Sequence, residues 1–173
     1  MSLFLFITSS LYFFLPAYIA NMMPVFVKKV PLLNKPISEK YFGKNKTWRG
    51  LVAATIAGGI IFIIQQLLYK AGFTQLALID YTDFTPILGF LLGFGAITGD
   101  LIKSYYKRQA EIPPGQPWYG FDQVDFVIGA IISSFLIYVP QIETVIILLI
   151  VSPLLHLIVN YLGFQLGIRE RKI

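Results

Sequence analysis

The sequence predicts an all-α integral membrane protein with five transmembrane helices. Three observations carry that expectation. Apolar types make up 56% of the 173 residues and charged types only 13%, against roughly 25% charged in a soluble domain. The mean hydropathy is +0.70. Apolar stretches close to the length of a bilayer crossing recur along the chain, with no useful strand-like alternation between them. Disorder, collagen, coiled coil and a free-standing nucleic-acid binder are excluded, and no nucleic-acid partner is expected. The net charge of +5 matters through its placement rather than its sum. With no cysteine, disulfides, thiolate zinc sites and thiol nucleophiles are excluded as well.

A hydrocarbon core about 30 Å thick takes roughly 20 apolar residues per helix. The first span is 3–27, broken only by Pro16, Asn21 and Pro24. Its long apolar run has no positive segment before it and no small-residue cleavage site after it, so it is expected to be a permanent helix. The second span is 51–69 and the third 86–102. The fourth, 126–139, is short, and the fifth is 145–166, where Pro153 is placed to kink it. Residues 1–173 are read as one polytopic domain. Pro86 and Pro140 punctuate helix ends.

Basic residues set the expected orientation. The 28–50 loop holds Lys28, Lys29, Lys35, Lys40, Lys44, Lys46 and Arg49. The 103–125 loop holds Lys103, Lys107 and Arg108, and the tail holds Arg169, Arg171 and Lys172. Only Lys70, of 14 basic residues, falls on the other side, near Asp80, Asp83 and Glu143. By the positive-inside rule the two basic loops and the C-terminus are cytoplasmic and the N-terminus is outside.

Gly89/Gly93 and Gly95/Gly99 form two G-x-x-x-G pairs on the third span, and Gly58/Gly59 interrupt the second. Small residues let membrane helices approach closely. A tight core around the third span is expected, with a homodimer contact as a further use of such a face.

Candidate chemistry lies where the acids cluster. Asp100, Glu111, Asp122 and Asp125 surround one loop, and Asp100 and Asp125 abut apolar spans. Charge at a helix centre is costly, so such acids face polar interiors with partners. Asp100, Lys103, Ser104, Lys107 and Arg108 recur at i, i+3, i+4, i+7 and i+8, one helical face. Asp122 and Asp125 share a face at the start of the fourth span. The intervening loop, with Pro113, Pro114 and Pro117, is stiff. Carboxylates beside lysines suit a hard cation and a polyphosphate, because magnesium takes one or two carboxylates plus phosphate oxygens. The alternative is structural: a helical Asp100–Lys103 pair, and Asp122 and Asp125 as caps.

A second basic element, Gly43-Lys44-Asn45-Lys46-Thr47-Trp48-Arg49-Gly50, precedes the second span. It reads either as a headgroup-facing flank anchored by Trp48 or as a phosphate-binding turn. His156 and Asn160 stand at i, i+4 on the fifth span, and a lone histidine is more often a packed residue than a ligand. No nucleophile elbow and no P-loop is present.

Taken together, Gly99-Asp100-Leu101-Ile102-Lys103-Ser104-Tyr105-Tyr106-Lys107-Arg108, Pro114-Gly115 and Phe121-Asp122-Gln123-Val124-Asp125 resemble the CTP-dependent phosphatidate cytidylyltransferase family. The small size, Lys46-Thr47-Trp48-Arg49-Gly50, Asp122-Gln123-x-Asp125 and His156-x-x-x-Asn160 are most similar to its archaeal, CDP-archaeol-forming branch. The diacyl branches have Lys-Asp, His-Gly-Gly and Asp-Arg-x-Asp where this chain has Gln109-Ala110-Glu111, Gln116-Pro117-Trp118 and Asp122-Gln123-Val124-Asp125. The tail lacks the Pro-Trp ending of the archaeal branch.

The resemblance implies a multi-pass cell-membrane enzyme with its active site at the cytoplasmic face. It would transfer CMP from CTP to 2,3-bis-O-(geranylgeranyl)-sn-glycerol 1-phosphate, an isoprenoid ether lipid in the bilayer, and release diphosphate. On the same footing Asp100, Asp122 and Asp125 hold Mg2+ and, with Lys103, form the catalytic set. Lys103, Lys107 and Arg108 bind the CTP and lipid phosphates. Lys46, Thr47 and Arg49 are further phosphate candidates, and Ser104, His156 and Asn160 line the site. A CTP-dependent polyprenol or phytol kinase would share membrane, CTP and magnesium but release CDP. An ion-coupled transporter would explain intramembrane carboxylates, but five spans give no even inverted repeat. A membrane scaffold would need no acid cluster.

Overall fold

The computed structural model describes residues 2–113, 116, 118 and 120–167. The fold is all-helical, as expected. In chain order the helices are α1 (Leu3–Phe13), α2 (Leu15–Phe26), α3 (Glu39–Phe42), α4 (Trp48–Lys70), α5 (Ile87–Gln109), α6 (Phe121–Ser134) and α7 (Ile142–Gln165). Short 3-10 turns cover Val27–Lys29 and Tyr81–Asp83. Among the described residues the one β-type contact is an isolated bridge between Pro36 and Thr47.

Three helices, α4, α5 and α7, are long and apolar enough to cross a membrane. The expected first span is instead two helices bent by 49° where α1 meets α2. Pro16 sits in the first turn of α2, and its ring and missing N–H favour a new helix start over continuation. Pro153 lies inside α7, which runs unbroken from Ile142 to Gln165.

Two expected boundaries are corrected. Helix α5 continues past residue 102 to Gln109, so Lys103 and Lys107 are helical. Helix α6 starts at Phe121 rather than 126 and ends at Ser134. Gly120, with φ of 86°, and the Gln123 side chain, which accepts from Gly120 N–H at 2.8 Å, cap this start. Asp122 and Asp125 therefore belong to the first turns of a helix. Its 14 residues extend about 21 Å, short of a full crossing.

Helix α5 is the axis of the bundle, packed between α4 and α6 with α2 across it; α7 lies outside, against α6 and α1. The glycines make this contact. A Cβ on Gly58 would stand 2.8 Å from Gly93 Cα, and one on Gly129 2.8 Å from Gly99 Cα. Both α5 glycine pairs are thus used for packing within the chain. Phe13, Phe14, Phe62, Tyr81, Leu88, Leu92, Phe126 and Leu148 fill the core. On α7, Ile142, Ile146, Ile150, Leu154, Ile158 and Leu162 form an exposed apolar stripe, the surface a lipid-facing helix presents.

Candidate active site

The site forms where the C-terminal half of α5 meets the first turns of α6. Asp100, Lys103 and Lys107 are one turn apart on α5 and share a face. Gly99 lets α6 come against α5 at Asp125, which places Asp122 and Asp125 opposite that face. Lys103 Nζ then lies 2.9 Å from Asp100 Oδ1, 2.9 Å from Asp122 Oδ1 and 2.7 Å from Asp125 Oδ2. One ammonium is the hub of three carboxylates.

Two further lysines border this hub. Lys46, from the turn before α4, pairs with Asp100 Oδ2. Lys107 is 3.3 Å from both oxygens of Asp122 and donates to the Gln116 carbonyl. The Trp118 main-chain N–H donates to Asp122 Oδ2 at 2.7 Å. Burial alone would raise the Asp122 pKa, but the Trp118 N–H, Lys103 and Lys107 outweigh it and hold the carboxyl below its ordinary value. The cluster is sequestered: side-chain exposure is 7% for Asp125 and 14% for Lys103.

Could these residues hold a divalent cation? Among the described residues no group of three or more His, Asp or Glu stands around a ready metal centre. The geometry explains this, because Lys103 Nζ takes the point on which the three aspartates converge. The donor set nevertheless fits, since hard cations favour carboxylate oxygens. Asp125 Oδ2 is moreover buried, with the Lys103 ammonium at 2.7 Å as its partner. Asp100, Asp122 and Asp125 are therefore suited to a magnesium ion once Lys103 moves aside.

The other expected residues divide. Ser104 is buried and donates to the Asp100 carbonyl at 2.8 Å, a bond within α5. Arg108 follows Lys107, and its buried Nε makes no hydrogen bond. Thr47 caps α4 by accepting from Gly50 N–H at 3.2 Å, and Arg49 donates to the Val30 carbonyl. Lys46 is thus the one residue of that trio brought to the acids. A cavity of about 40 Å³ separates it from α2, lined by Pro24, Asn45, Thr47 and Asp100 among others. Asn45 and the Trp118 N–H were missed in the sequence; a single asparagine and a main-chain donor carry no spacing signal. Pro114, Gly115, Pro117 and Tyr119 of the loop, and the basic residues of the tail, lie outside the described residues.

His156 and Asn160 are not at the acids. Asn160 is buried and its Nδ2 is 3.3 Å from His156 Nδ1. Both line a groove of about 200 Å³ between α2 and α7, with Asn21, Met22, Phe26 and Val159. The Tyr18 and Ser152 hydroxyls meet at 2.6 Å and tie the two helices together. The His156 ring lies 5.9 Å from that of Phe126, which follows Asp125 in α6.

Residues 3–172 match a family model described as CarS-like, CDP-archaeol synthase. The chain is 34% identical over 168 residues to the CDP-archaeol synthase of Pyrococcus furiosus, covering 92% of this chain and 94% of that one. It is 33% identical to that of Thermococcus onnurineus over 164 residues, 90% and 91% of the two chains. A solved structure described as giving structural insight into an intramembrane enzyme for archaeal membrane lipids biosynthesis superposes with a TM-score of 0.66 at 28% identity. That match covers 86% of this chain and 90% of the other.

Proposed function

The chain belongs to the CDP-archaeol synthase family, and from that premise we propose that it is a membrane cytidylyltransferase acting on CTP. The acceptor is 2,3-bis-O-(geranylgeranyl)-sn-glycerol 1-phosphate. A phosphate oxygen of the lipid forms a bond to the α-phosphorus of CTP, the α–β bridging P–O bond breaks, and diphosphate leaves with the electron pair. The carrying observation is the gathering of Asp100, Asp122 and Asp125 with Lys46, Lys103 and Lys107 at one helix junction.

Each residue has a role in this reading. The lipid phosphate is already ionised at neutral pH, so no strong base is needed, and catalysis is positioning plus charge neutralisation. Lys46, Lys103 and Lys107 bind the triphosphate and the charge that develops on the leaving diphosphate. Arg108, with its uncommitted Nε, is a further phosphate donor. Asp100, Asp122 and Asp125 would hold Mg2+, which supplies Lewis-acid stabilisation of the phosphoryl oxygens.

We place the lipid's chains in the α2–α7 groove. Its walls are largely apolar, His156 in its lining touches Phe126, and Asn21, His156 and Asn160 offer polar groups to the glycerol end. The finer topology belongs to the same proposal: five spans, a cytoplasmic active-site face and a cytoplasmic C-terminus. Its support is that both basic loops pack at one end of the bundle, through Lys46–Asp100 and the Tyr41–Tyr105 ring contact at 6.0 Å.

The test separates cytidylyl transfer from a CTP-dependent kinase. Purified protein is offered the ether lipid phosphate with CTP labelled either on the α- or on the γ-phosphate. Label from the α-position should enter the lipid and diphosphate should be released. Label from the γ-position in the lipid, with CDP as by-product, would assign a kinase instead.

A further inference from the structure

The hub position of Lys103 has a consequence for the order in which ligands bind. Its ammonium has three protons, and three different carboxylates lie within 2.9 Å of its nitrogen. Those separations suit an ammonium; magnesium would draw oxygens to about 2.0–2.1 Å. Across the cluster, three carboxylates (Asp100, Asp122, Asp125) face three ammoniums (Lys46, Lys103, Lys107), so the formal charge is balanced. A bare dication approaching this partly buried set would meet three like charges, each already paired with the carboxylate oxygens it needs. A triphosphate changes the balance by offering the lysines several phosphate oxygens. Lysine suits the exchange, since its charge rides on a flexible four-carbon stem.

We propose that Lys103 is a resident cation that holds the three aspartates together in the nucleotide-free protein, and that it passes to the phosphates as the triphosphate arrives. The divalent cation is then taken up together with the nucleotide, not before it. Asp125 Oδ2, buried and paired with the Lys103 ammonium at 2.7 Å, is released for the cation when Lys103 leaves. The proposal rests on the metal–nucleotide reading given above.

Mn2+ binding to detergent-purified protein, followed by the electron paramagnetic resonance signal of free Mn2+, tests it without turnover. Measurements are made with and without α,β-methylene CTP. Wild type should bind Mn2+ weakly alone and tightly with the analogue. In Lys103→Met, affinity for Mn2+ alone should rise by at least about tenfold, the effect of removing one like charge from a partly buried site. The enhancement by the analogue should shrink accordingly. Unchanged or weaker binding of Mn2+ alone in Lys103→Met, with wild type still binding Mn2+ in the presence of the analogue, would overturn the role of Lys103 alone. Wild type that binds no Mn2+ even with the analogue would overturn the metal–nucleotide reading itself. A second measurement needs no variant. Mn2+ alone should leave the wild-type thermal midpoint unmoved at concentrations where Mn2+ plus analogue raises it. An equal rise with Mn2+ alone would refute the proposal.

Discussion

Gly99 on α5 lies directly against the main-chain carbonyl of Asp125 on α6, so that a Cβ at residue 99 would overlap that oxygen. The obstacle is backbone on both sides, which no side-chain rotation relieves. Gly99→Ala must therefore push the start of α6 away and carry Asp125 from the hub at Lys103. Misplacing a reacting group by about 1 Å can cost on the order of a hundredfold in rate. Gly99→Ala should lose CTP turnover on that scale while the protein still inserts into membranes. Near-normal kcat in a correctly inserted variant would show that the Gly99–Asp125 contact does not position the acid.

Asp122 links the loop to the hub by accepting the Trp118 N–H and pairing with two lysines. Its pKa is held below the ordinary 3.8. The sign follows from linkage: a group whose folded pKa is depressed contributes stability above its unfolded value, and that stability is lost as pH falls through the folded one. This contribution is thus constant from pH 5 to 8 and declines only below about 4. Asp122→Asn should flatten the acid limb of a thermal-midpoint profile and abolish most turnover at neutral pH. If both the acid limb and the rate survive the substitution, the pairing is incidental.

What was legible in the sequence was the part written in helical spacing. Asp100, Lys103 and Lys107 repeat at one turn, so their shared face could be read directly. The glycine pairs signalled the close helix contacts that bring α6 to them. The meeting of Lys46 with Asp100 spans 54 positions and left no periodic trace. Hydropathy likewise misjudged α6. The Gly120–Gln123 cap starts that helix before the charged residues, and an apolar window begins only after them. His156 and Asn160 were visible as polar breaks in α7, but i, i+4 spacing cannot say whether they face acids or a groove.

The groove makes its own prediction. Val159 lines it between α2 and α7, away from the lysines and aspartates. Val159→Trp would fill much of the space with a rigid ring. KM for the ether lipid phosphate should rise several-fold while KM for CTP stays within about twofold, the pattern expected when ground-state binding of one substrate is lost. A rise in both, or in neither, would place the lipid chains elsewhere.

Orientation can be read by labelling, since the chain has no cysteine. Asp80 and Glu111 are both exposed and follow opposite ends of the bundle, after α4 and after α5. Single cysteines are introduced at each and challenged with an impermeant maleimide on intact cells. Reaction at residue 80 but not 111 is expected, and the reverse pattern would invert the topology.

The choice between ether and ester lipids bears on the loop between α5 and α6. That loop carries Trp118 and Tyr119; Tyr119 lies outside the described residues. Trp118 is half-buried, its ring 4.6 Å from that of Phe121 at the start of α6, and its main-chain N–H is given to Asp122. It therefore fixes the loop onto α6 beside the acids and also presents an amphipathic ring of the kind that favours a membrane interface. An ether oxygen is a weaker hydrogen-bond acceptor than an ester carbonyl, so a site for ether lipid has less need of donors beside the glycerol. A site built around an ester leaves its donors unpaired when the carbonyl is absent, and discriminates strongly. Beyond Asn21, His156 and Asn160 the groove is lined by apolar residues. In one detergent, kcat/KM should be higher for the geranylgeranyl ether phosphate than for a phosphatidic acid of matched chain length. Trp118→Ala keeps the N–H to Asp122 but loses the ring packing on Phe121 that seats the loop, so it should lower both values together. Equal use of the two lipids by wild type would remove the ether preference and leave cytidylyl transfer standing, while a selective loss of ether-lipid turnover in Trp118→Ala would move the indole from anchor to lipid contact.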